Sequence, residues 1–215
     1  MFRAIFLGIL FCPSAKKCYL KGMSTDFPSL KGKLLLAMPQ MDDERFAKAV
    51  IFICTHDETG AMGITINHPL PGWEFRRLFD QLKIEPQGTA LLDEAMLATP
   101  VLSGGPVERT RGFLIHTNDY KQHDTVAITD EFSMTGTLQA IKALAEGTGP
   151  QKYVFAMGYA GWTAGQLEDE LQKNVWLVAP PTPELVFDMP LAVKWDAGLG
   201  TLGIDPLLLG EAGNA

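Results

Sequence analysis

Cysteine is scarce in this sequence. The chain of 215 residues contains 3 cysteines, and two of them, Cys12 and Cys18, lie near its beginning. The remaining Cys54 then has no partner for a disulfide, which excludes a disulfide-stapled secreted scaffold and fits a reducing cytoplasm. The apolar stretch of residues 4–11 is far too short to span a bilayer. We therefore expect a cytoplasmic protein that does not associate with a membrane.

Positive charge is also in deficit. The sequence has 18 Lys and Arg against 25 Asp and Glu, a formal net charge of -7. Such a surface repels nucleic acid unless a local basic patch outweighs the average. A direct DNA-binding transcription factor would need Arg76, Arg77, Arg109 and Arg111 to converge on one surface. Because acidic residues accompany both arginine pairs, we do not expect direct binding of nucleic acid.

Residues 1–22 differ in composition from the rest of the chain. They combine an early arginine, an apolar segment and three lysines with no acidic residue. This pattern is typical of a weak signal-like segment, although the small residues of a cleavage site are poorly placed. The alternative, which we favour, is a mis-assigned start with Met23 opening the protein. The length allows one sizeable core, so we expect a single domain over residues 23–215.

Short apolar runs separated by turn residues dominate the remaining sequence. Residues 49–56 and 61–69 flank the turn-forming segment DETG and predict a central antiparallel hairpin. Further strands are predicted at residues 32–39, 125–129, 153–160 and 175–180, and on both sides of a Ser-Gly-Gly-Pro turn within 99–117. Strands follow one another directly and helices are few, which indicates an α+β fold with a mostly antiparallel sheet.

Helical periodicity is confined to a few segments. Residues 74–82 predict a short amphipathic helix, and residues 133–149 predict a second helix with Ser133 as its N-cap. A third helix follows Trp162. Residues 191–204 are more ambiguous, and we expect a helix followed by a packed loop.

The segment GYAGW, residues 158–162, follows an apolar strand and precedes a helix, as phosphate-binding glycine loops do. It lacks the lysine and glycine spacing of the known nucleotide motifs. Thr163 and Gln166 form a capping box that occupies the donors of the helix start, and residues 168–170 place three acids beside it. We therefore predict a rigid strand-to-helix corner rather than a nucleotide site.

Three longer motifs carry a family resemblance: PQMDDERFAKAVIFICTHDETGAMGITINHPL, VLSGGPVERTRGFLIHT and MGYAGWTAGQLEDELQKNVWLVAP. They resemble the motifs of the YqgE/AlgH family of bacterial proteins, in the same order, from about Gly32 to Pro180. The resemblance implies a bifurcated, mostly antiparallel sheet rolled into a pseudo-barrel with peripheral helices. It also implies a link to transcriptional regulation, but it supplies no catalytic residue and no cofactor.

Two arrangements are candidates for a hydrolase. Cys54 and His56 lie two apart on a predicted strand and would project to one face, as a thiolate and its base do. Ser103 precedes Gly104 and Gly105, whose backbone N–H groups are candidate oxyanion donors. The alternatives are a small core cysteine and a tight turn between strands, and we favour both alternatives.

No metal or cofactor is expected. The histidines His56, His68, His116 and His123 form no ligand set with one another or with a cysteine. Asn67 offers side-chain hydrogen bonds to a ligand, although an asparagine that closes a strand before proline is ordinary turn chemistry.

A binding module is the function that we favour, most simply a non-enzymatic regulatory protein that acts through an unidentified protein partner. Tyr159 and Trp162 are large side chains between Gly158 and Gly161, and such residues anchor an interface when exposed or fill a core when buried. The candidate binding residues are Ser103, Gly104, Gly105, Gly158, Tyr159, Gly161, Trp162, Asn67 and His56.

Overall fold

The computed structural model describes residues 28–84 and 94–211. The segment 1–22, with Cys12 and Cys18, lies outside these residues. The strands are β1 (Leu34–Ala37), β2 (Val50–Asp57), β3 (Gly60–Thr65), β4 (Pro69–Glu74), β5 (Pro100–Ser103), β6 (Val107–Thr117), β7 (Val126–Ala127), β8 (Phe132–Thr135), β9 (Tyr153–Thr163) and β10 (Trp176–Ala179). The helices are α1 (Phe75–Leu82), α2 (Glu94–Leu97), α3 (Leu138–Ala145), α4 (Gln166–Gln172), α5 (Lys194–Thr201) and α6 (Pro206–Glu211), with single helical turns at Glu44–Phe46, Glu184–Asp188 and Leu191–Val193.

The strands form one sheet that forks at β9. The main path runs β10-β1-β2-β3-β9-β6-β8-β7, while β5 and then β4 branch from β9. The pairing of β5 with β9 is parallel, and the other pairings are antiparallel. The sheet curls into a half-barrel with the helices around it, so the predicted α+β class and the bifurcated, mostly antiparallel sheet are confirmed.

The central strands are buried on both faces, as the predicted hairpin required. In β1, Leu34 and Leu36 pack into one hydrophobic cluster, with Trp195 and Leu199 of α5. The alternate residue Leu35 packs into a second cluster beside α4. A third cluster holds α1 and α3 against β5, β6 and β9. Because both faces are covered, β1 and β2 carry the continuous apolar runs seen in the sequence.

The helix predicted over residues 133–149 begins later than expected. Residues Phe132–Thr135 form β8, which pairs with β6, and Ser133 lies within this strand. The helix starts at Leu138 after Thr137 in the N-cap position. The hydrogen-bond ladder with β6 outweighs the local helical pattern, which is a tertiary effect that a short sequence window does not contain.

The predicted corner at residues 158–162 is also wrong in its position. β9 continues through this segment to Thr163, and α4 begins at Gln166 after a Gly165 N-cap. The Gln166 side chain does accept a hydrogen bond from the Thr163 N–H at 3.1 Å, which is one half of the predicted capping box. The turn into the helix therefore lies at residues 164–165.

Among the residues that the structure describes, no helix is both long and apolar enough to cross a bilayer.

Candidate functional site

Backbone contacts place residues 103–106 directly against β9. The Gly104 N–H donates to the Met157 carbonyl at 2.8 Å, and the Gly104 carbonyl accepts from the Thr65 N–H at 2.9 Å. A Cβ atom on Gly104 would lie 2.3 Å from the Gly158 carbonyl oxygen, so glycine is required here. The predicted turn does connect two strands, β5 and β6, but these strands do not pair with each other. β5 pairs with β4 and β9, β6 pairs with β8 and β9, and residues 103–106 cross between the branches.

The same crossing explains Gly158 of β9. Gly158 has φ of +75°, and a Cβ atom on it would lie 2.6 Å from the Gly105 carbonyl oxygen. This glycine allows two backbones to approach each other and does not serve to present donors to a phosphate. The Gly104 N–H is already bonded, which removes half of the oxyanion arrangement considered for Gly104 and Gly105.

Next to the crossing, β6 bulges away from β9. Its register shifts between Val107, which pairs with Tyr159, and Gly112, which pairs with Met157. Within the bulge, Glu108 has φ of +44°, a left-handed conformation for a non-glycine residue. The bulge separates Arg109 and Arg111 from the flat ladder and directs them toward different cavities.

The first cavity is a groove beside β6 and β9, with a volume of about 520 Å³. We call it the groove and define it by Met62, Val107, Phe113, Met134 and Tyr159. The Phe113 and Tyr159 rings meet edge to face, with centroids 5.9 Å apart. Val107 is 36% exposed, whereas Phe113 and Met134 are 3% and 8% exposed. The part of the apolar floor that is open to solvent is therefore Val107 with the partly buried Met62 and Tyr159.

Charged and hydroxyl groups surround this floor. The Arg111 guanidinium lies 5.1 Å from the centroid of the Phe113 ring and 3.1 Å from the Glu108 carboxylate. Asp57 and Thr55 line the groove from the end of β2. An apolar floor with charges of both signs at its edge is the composition of a protein-binding site.

The second cavity lies on the other face of β9, with a volume of about 380 Å³, and is lined by Phe46, Gly161, Trp162, Glu170 and Trp176 among others. We call it the tryptophan cleft. Trp162 is only 7% exposed, so it fills the core and walls this cleft rather than projecting as an anchor. Gly161 lines both the cleft and the groove.

The third cavity is smaller, about 190 Å³, and lies beside the crossing. It is lined by Arg45, Phe46, Thr65, Ser103, Gly105, Pro106 and Arg109, and we call it the arginine pocket. Ser103 and Gly105, both selected from the sequence, therefore share one cavity, and Tyr159, Gly161 and Trp162 line its neighbours.

His56 is buried, and its ring connects three parts of the chain. Its Nδ1 accepts from the Leu30 N–H at 2.9 Å, so this nitrogen carries no proton. Its Nε2 therefore carries the proton and donates to the Glu168 carboxylate at 2.8 Å. The Ser29 hydroxyl donates to the His56 carbonyl at 2.8 Å. His56 holds β2 against α4 and the segment before β1, which is a structural role.

Cys54 and His56 do not project to one face, which corrects the sequence prediction. The β2 and β3 register shifts between Ile53 and Thr55, and this bulge interrupts the alternation. Cys54 belongs to the same cluster as Leu34 and Leu36, whereas His56 bonds to α4, whose Leu167 belongs to the cluster of Leu35. Complete burial raises the pKa of the Cys54 thiol to about 12. A thiol in this state is a poor nucleophile.

The side-chain amide of Asn67 makes hydrogen bonds within the fold through both its oxygen and its nitrogen. Its Oδ1 accepts from the Val50 N–H at 2.8 Å, and its Nδ2 donates to the Lys48 carbonyl at 2.8 Å. This side chain connects the end of β3 to the start of β2. Its expected ligand role therefore has no support from the contacts.

The other histidines also make local contacts. His116 is completely buried, bonded to the Thr117 carbonyl and the Thr135 hydroxyl, and burial lowers its pKa. His68 lies 3.1 Å from the Ala47 carbonyl oxygen, and burial lowers its pKa as well. Across residues 28–84 and 94–211, no group of three or more His, Cys, Asp or Glu side chains is arranged to hold a metal ion.

The four arginines considered for DNA lie on two separate elements. On α1, Arg76 pairs with Glu94, while Arg77 donates to the Gly72 carbonyl and stacks over Trp73. Arg109 and Arg111 lie on the β6 bulge and line different cavities. Local partners therefore account for three of the four arginines.

Sequence reasoning missed Arg45, Thr65 and Glu170, which line the cavities. Arg45 stands in an acidic segment and Thr65 within an apolar strand, so neither has a local signal. Glu170 belongs to an acidic run that suggests a solvated helix face, yet it accepts from both Trp162 and Trp176. Their roles depend on contacts that are distant in sequence.

Comparisons with known proteins agree with the architecture. The model of the AlgH-like family matches residues 34–207. The chain is 48% identical over 189 residues to a UPF0301 protein of Jannaschia sp., with 86% of this chain and 95% of the relative covered. It is 46% identical over 187 residues to a UPF0301 protein of Rhodospirillum rubrum, with 86% and 94% covered. The fold is similar to the solution structure of the AlgH protein from Pseudomonas aeruginosa, with TM-score 0.69, 38% identity, and 85% and 94% of the two chains covered.

Proposed function

We propose that this chain, which belongs to the AlgH-like family, is a non-enzymatic regulatory protein that binds a partner protein through the groove. Membership of this family defines the fold better than the activity, so the proposal rests on the site. The observation that carries the proposal is the apolar floor beside Val107, which is open to solvent. Exposed apolar surface rimmed by polar groups marks interaction sites on soluble domains.

The groove suits an apolar side chain on a segment of a partner protein. Met62, which is partly buried, supplies flexible, polarizable surface that adapts to different side chains. Tyr159 and Phe113 supply rigid aromatic walls. Asp57 at the edge provides an anionic group for the partner's backbone or side chains. The predicted anchor is therefore one large apolar residue.

An enzymatic role has less support from the same geometry. Cys54 is buried with a raised pKa, and His56 is held between Leu30 and Glu168. The Ser103 hydroxyl makes no hydrogen bond to a residue within the described ranges, so none of these residues acts on it as a general base. The hydrolase alternative thus lacks an activated nucleophile.

Regulation through a protein partner also explains the acidic balance better than direct DNA binding does. The formal net charge of -7 opposes a phosphate backbone, whereas a groove with an apolar floor does not require basic residues. Free, buried Cys54 is consistent with action in the reducing cytoplasm. Any effect on transcription is then indirect.

Selection of peptides from a displayed random library against the full-length chain tests the proposal. We expect the enriched peptides to share one large apolar residue. We expect Val107→Glu to weaken their binding about tenfold or more, because a charge would occupy the apolar floor.

Val193→Glu is the matched control, since Val193 is 44% exposed and does not line the groove. It should leave the affinity of the peptides unchanged. Peptides that lose affinity equally in both variants, or a selection without any enriched sequence, would contradict the proposal.

A further inference from the structure

The arginine pocket is a compact cavity that the proposed protein-binding function does not use. Its volume is about 190 Å³. Pockets that enclose a whole drug-sized ligand begin near 300 Å³. The cavity therefore has the size of a small ionic group rather than of a complete nucleotide.

The charge around the pocket is positive, in contrast to the chain as a whole. Arg45 and Arg109 line it, and none of its described lining residues is acidic. Arg45 binds Asp43 through Nε and Nη2, which leaves Nη1 outside that ion pair. Arg109 forms no ion pair or hydrogen bond with any residue in 28–84 or 94–211. Asp43 balances the charge of Arg45, so Arg109 supplies the excess positive charge of this pocket in a protein with a formal net charge of -7.

Hydroxyl groups complete the donor set. Thr65 is 1% exposed as a residue, and its side chain lines the pocket. A threonine hydroxyl at the wall of a cavity is able to donate a hydrogen bond to an anion bound there. Ser103 contributes a second hydroxyl without a partner in the described part of the chain.

The frame that carries these groups is rigid. Gly105 has φ of +154°, and a Cβ atom on it would lie 2.3 Å from the Tyr159 carbonyl oxygen. The backbone of Thr65 is fixed to Gly104 by a 2.9 Å hydrogen bond. Donors on a fixed frame lose little entropy when an anion binds.

From this geometry we propose that the arginine pocket binds the phosphate group of a small molecule. Arg45 and Arg109 provide charge, and guanidinium groups match the oxygens of a phosphate with paired N–H donors. The hydroxyls of Thr65 and Ser103 donate to the remaining oxygens. The pocket takes the phosphate group, and the rest of the molecule extends along Phe46 toward the tryptophan cleft, which shares Arg45, Phe46 and Pro106 with it.

Titration of inorganic phosphate into the full-length, ¹⁵N-labelled protein at constant ionic strength tests this site. We expect saturable shifts of the backbone amide signals of Thr65 and Gly105. Arg109→Gln should weaken phosphate binding about tenfold or more, since a charge-assisted contact is lost, and Ser103→Ala should weaken it severalfold. The amide spectrum of each variant shows whether it is folded, and Ser103→Ala carries the test if Arg109→Gln does not fold.

Arg111→Gln is the matched control, because it removes the same charge from the same bulge but lines the groove. It should leave phosphate affinity within about twofold of the unchanged protein. Equal weakening by both arginine variants would show general charge attraction and overturn the site. A phosphate titration without saturation, or acetate bound as tightly as phosphate, would overturn the phosphate assignment. The titration contains no partner protein, so its result is independent of the groove.

Discussion

Trp162 and Trp176 donate their indole N–H groups to the same oxygen atom, Oε2 of Glu170, at 2.8 and 2.7 Å. Their rings meet edge to face, with centroids 6.0 Å apart, and both side chains are less than 8% exposed. The Gln166 amide donates to the other carboxylate oxygen at 2.9 Å. One carboxylate thus attaches α4 to β9 and β10 and forms the wall of the tryptophan cleft.

Replacement of Glu170 should therefore destabilise the fold strongly. Glu170→Ala leaves two nearly buried indole N–H groups without an acceptor, and we expect the free energy of unfolding to fall by about 2–4 kcal/mol. Glu170→Gln retains one acceptor oxygen and should cost less than half of this. Urea unfolding followed by tryptophan fluorescence measures both. The exposed Asp169→Ala on the same helix should change stability by less than about 1 kcal/mol, and an equal loss in both alanine variants would contradict the account.

Gly104→Ala should disrupt the crossing at β9. Its new methyl group would lie 2.3 Å from the Gly158 carbonyl oxygen, so two backbones must separate. We expect a loss of about 2 kcal/mol or more in thermal or urea unfolding. Gly200→Ala is the control, because nothing lies within 4 Å of its Cβ position and it occupies a helix. That change should be neutral or stabilising by up to about 1 kcal/mol. A fully stable Gly104→Ala would show that the crossing is not close-packed.

Cys54 should not react with thiol reagents in the native protein. Burial raises its pKa to about 12, so almost no thiolate exists at neutral pH. A full-length variant with Cys12→Ser and Cys18→Ser leaves Cys54 as the remaining thiol among 3 cysteines. Ellman's reagent at pH 7.5 should detect no thiol until urea is added. Rapid reaction in the native state would restore Cys54 as a nucleophile and favour the hydrolase alternative.

Lys194 should make stability rise with pH. Lys194 is 1% exposed, and its ammonium donates to the Val186 carbonyl. Burial lowers the pKa of Lys194 from 10.5 to about 8, although the negative charge of Asp188 acts in the opposite direction. Between these pH values the unfolded chain retains a proton that the folded protein has released, so the free energy of unfolding increases. The full increase is on the order of 3 kcal/mol.

Lys194→Met removes this titration. From pH 7 to pH 10, the free energy of unfolding of the unchanged protein should rise relative to that of the variant. The comparison cancels the titration of Cys54 and the tyrosines, which both proteins share. Parallel stability profiles would show that Lys194 titrates normally.

The sequence was most informative where apolar density was highest. The hairpin of β2 and β3 and the short strand β1 follow from continuous apolar runs and the DETG turn. A strand that is buried on both faces consists almost entirely of apolar residues, so its sequence is easily identified. The helix α1 follows from the amphipathic spacing of its sequence. Phe75, Leu78 and Phe79 are buried in it, whereas Leu82 is 39% exposed.

Predictions failed where a distant contact overrides a local pattern. Ser133 has the sequence context of an N-cap, but the ladder with β6 extends the strand through it. The bulge between Ile53 and Thr55 places Cys54 and His56 on different faces of the strand, and no residue in this segment predicts a bulge. The arginine pocket combines Arg45, Thr65 and Arg109, which only the folded sheet brings together.

The central claim is that the groove binds a protein partner in the cell, and site-specific photo-crosslinking tests it most directly. A photoreactive phenylalanine analogue replaces Val107 in the full-length chain, and in a second strain it replaces Val193, which is exposed outside the groove. The account predicts a discrete crosslinked protein at position 107 that is absent at position 193 and disappears when Met62→Glu, at a partly buried position of the groove, is added. The same products at both positions, or none at position 107, would contradict it.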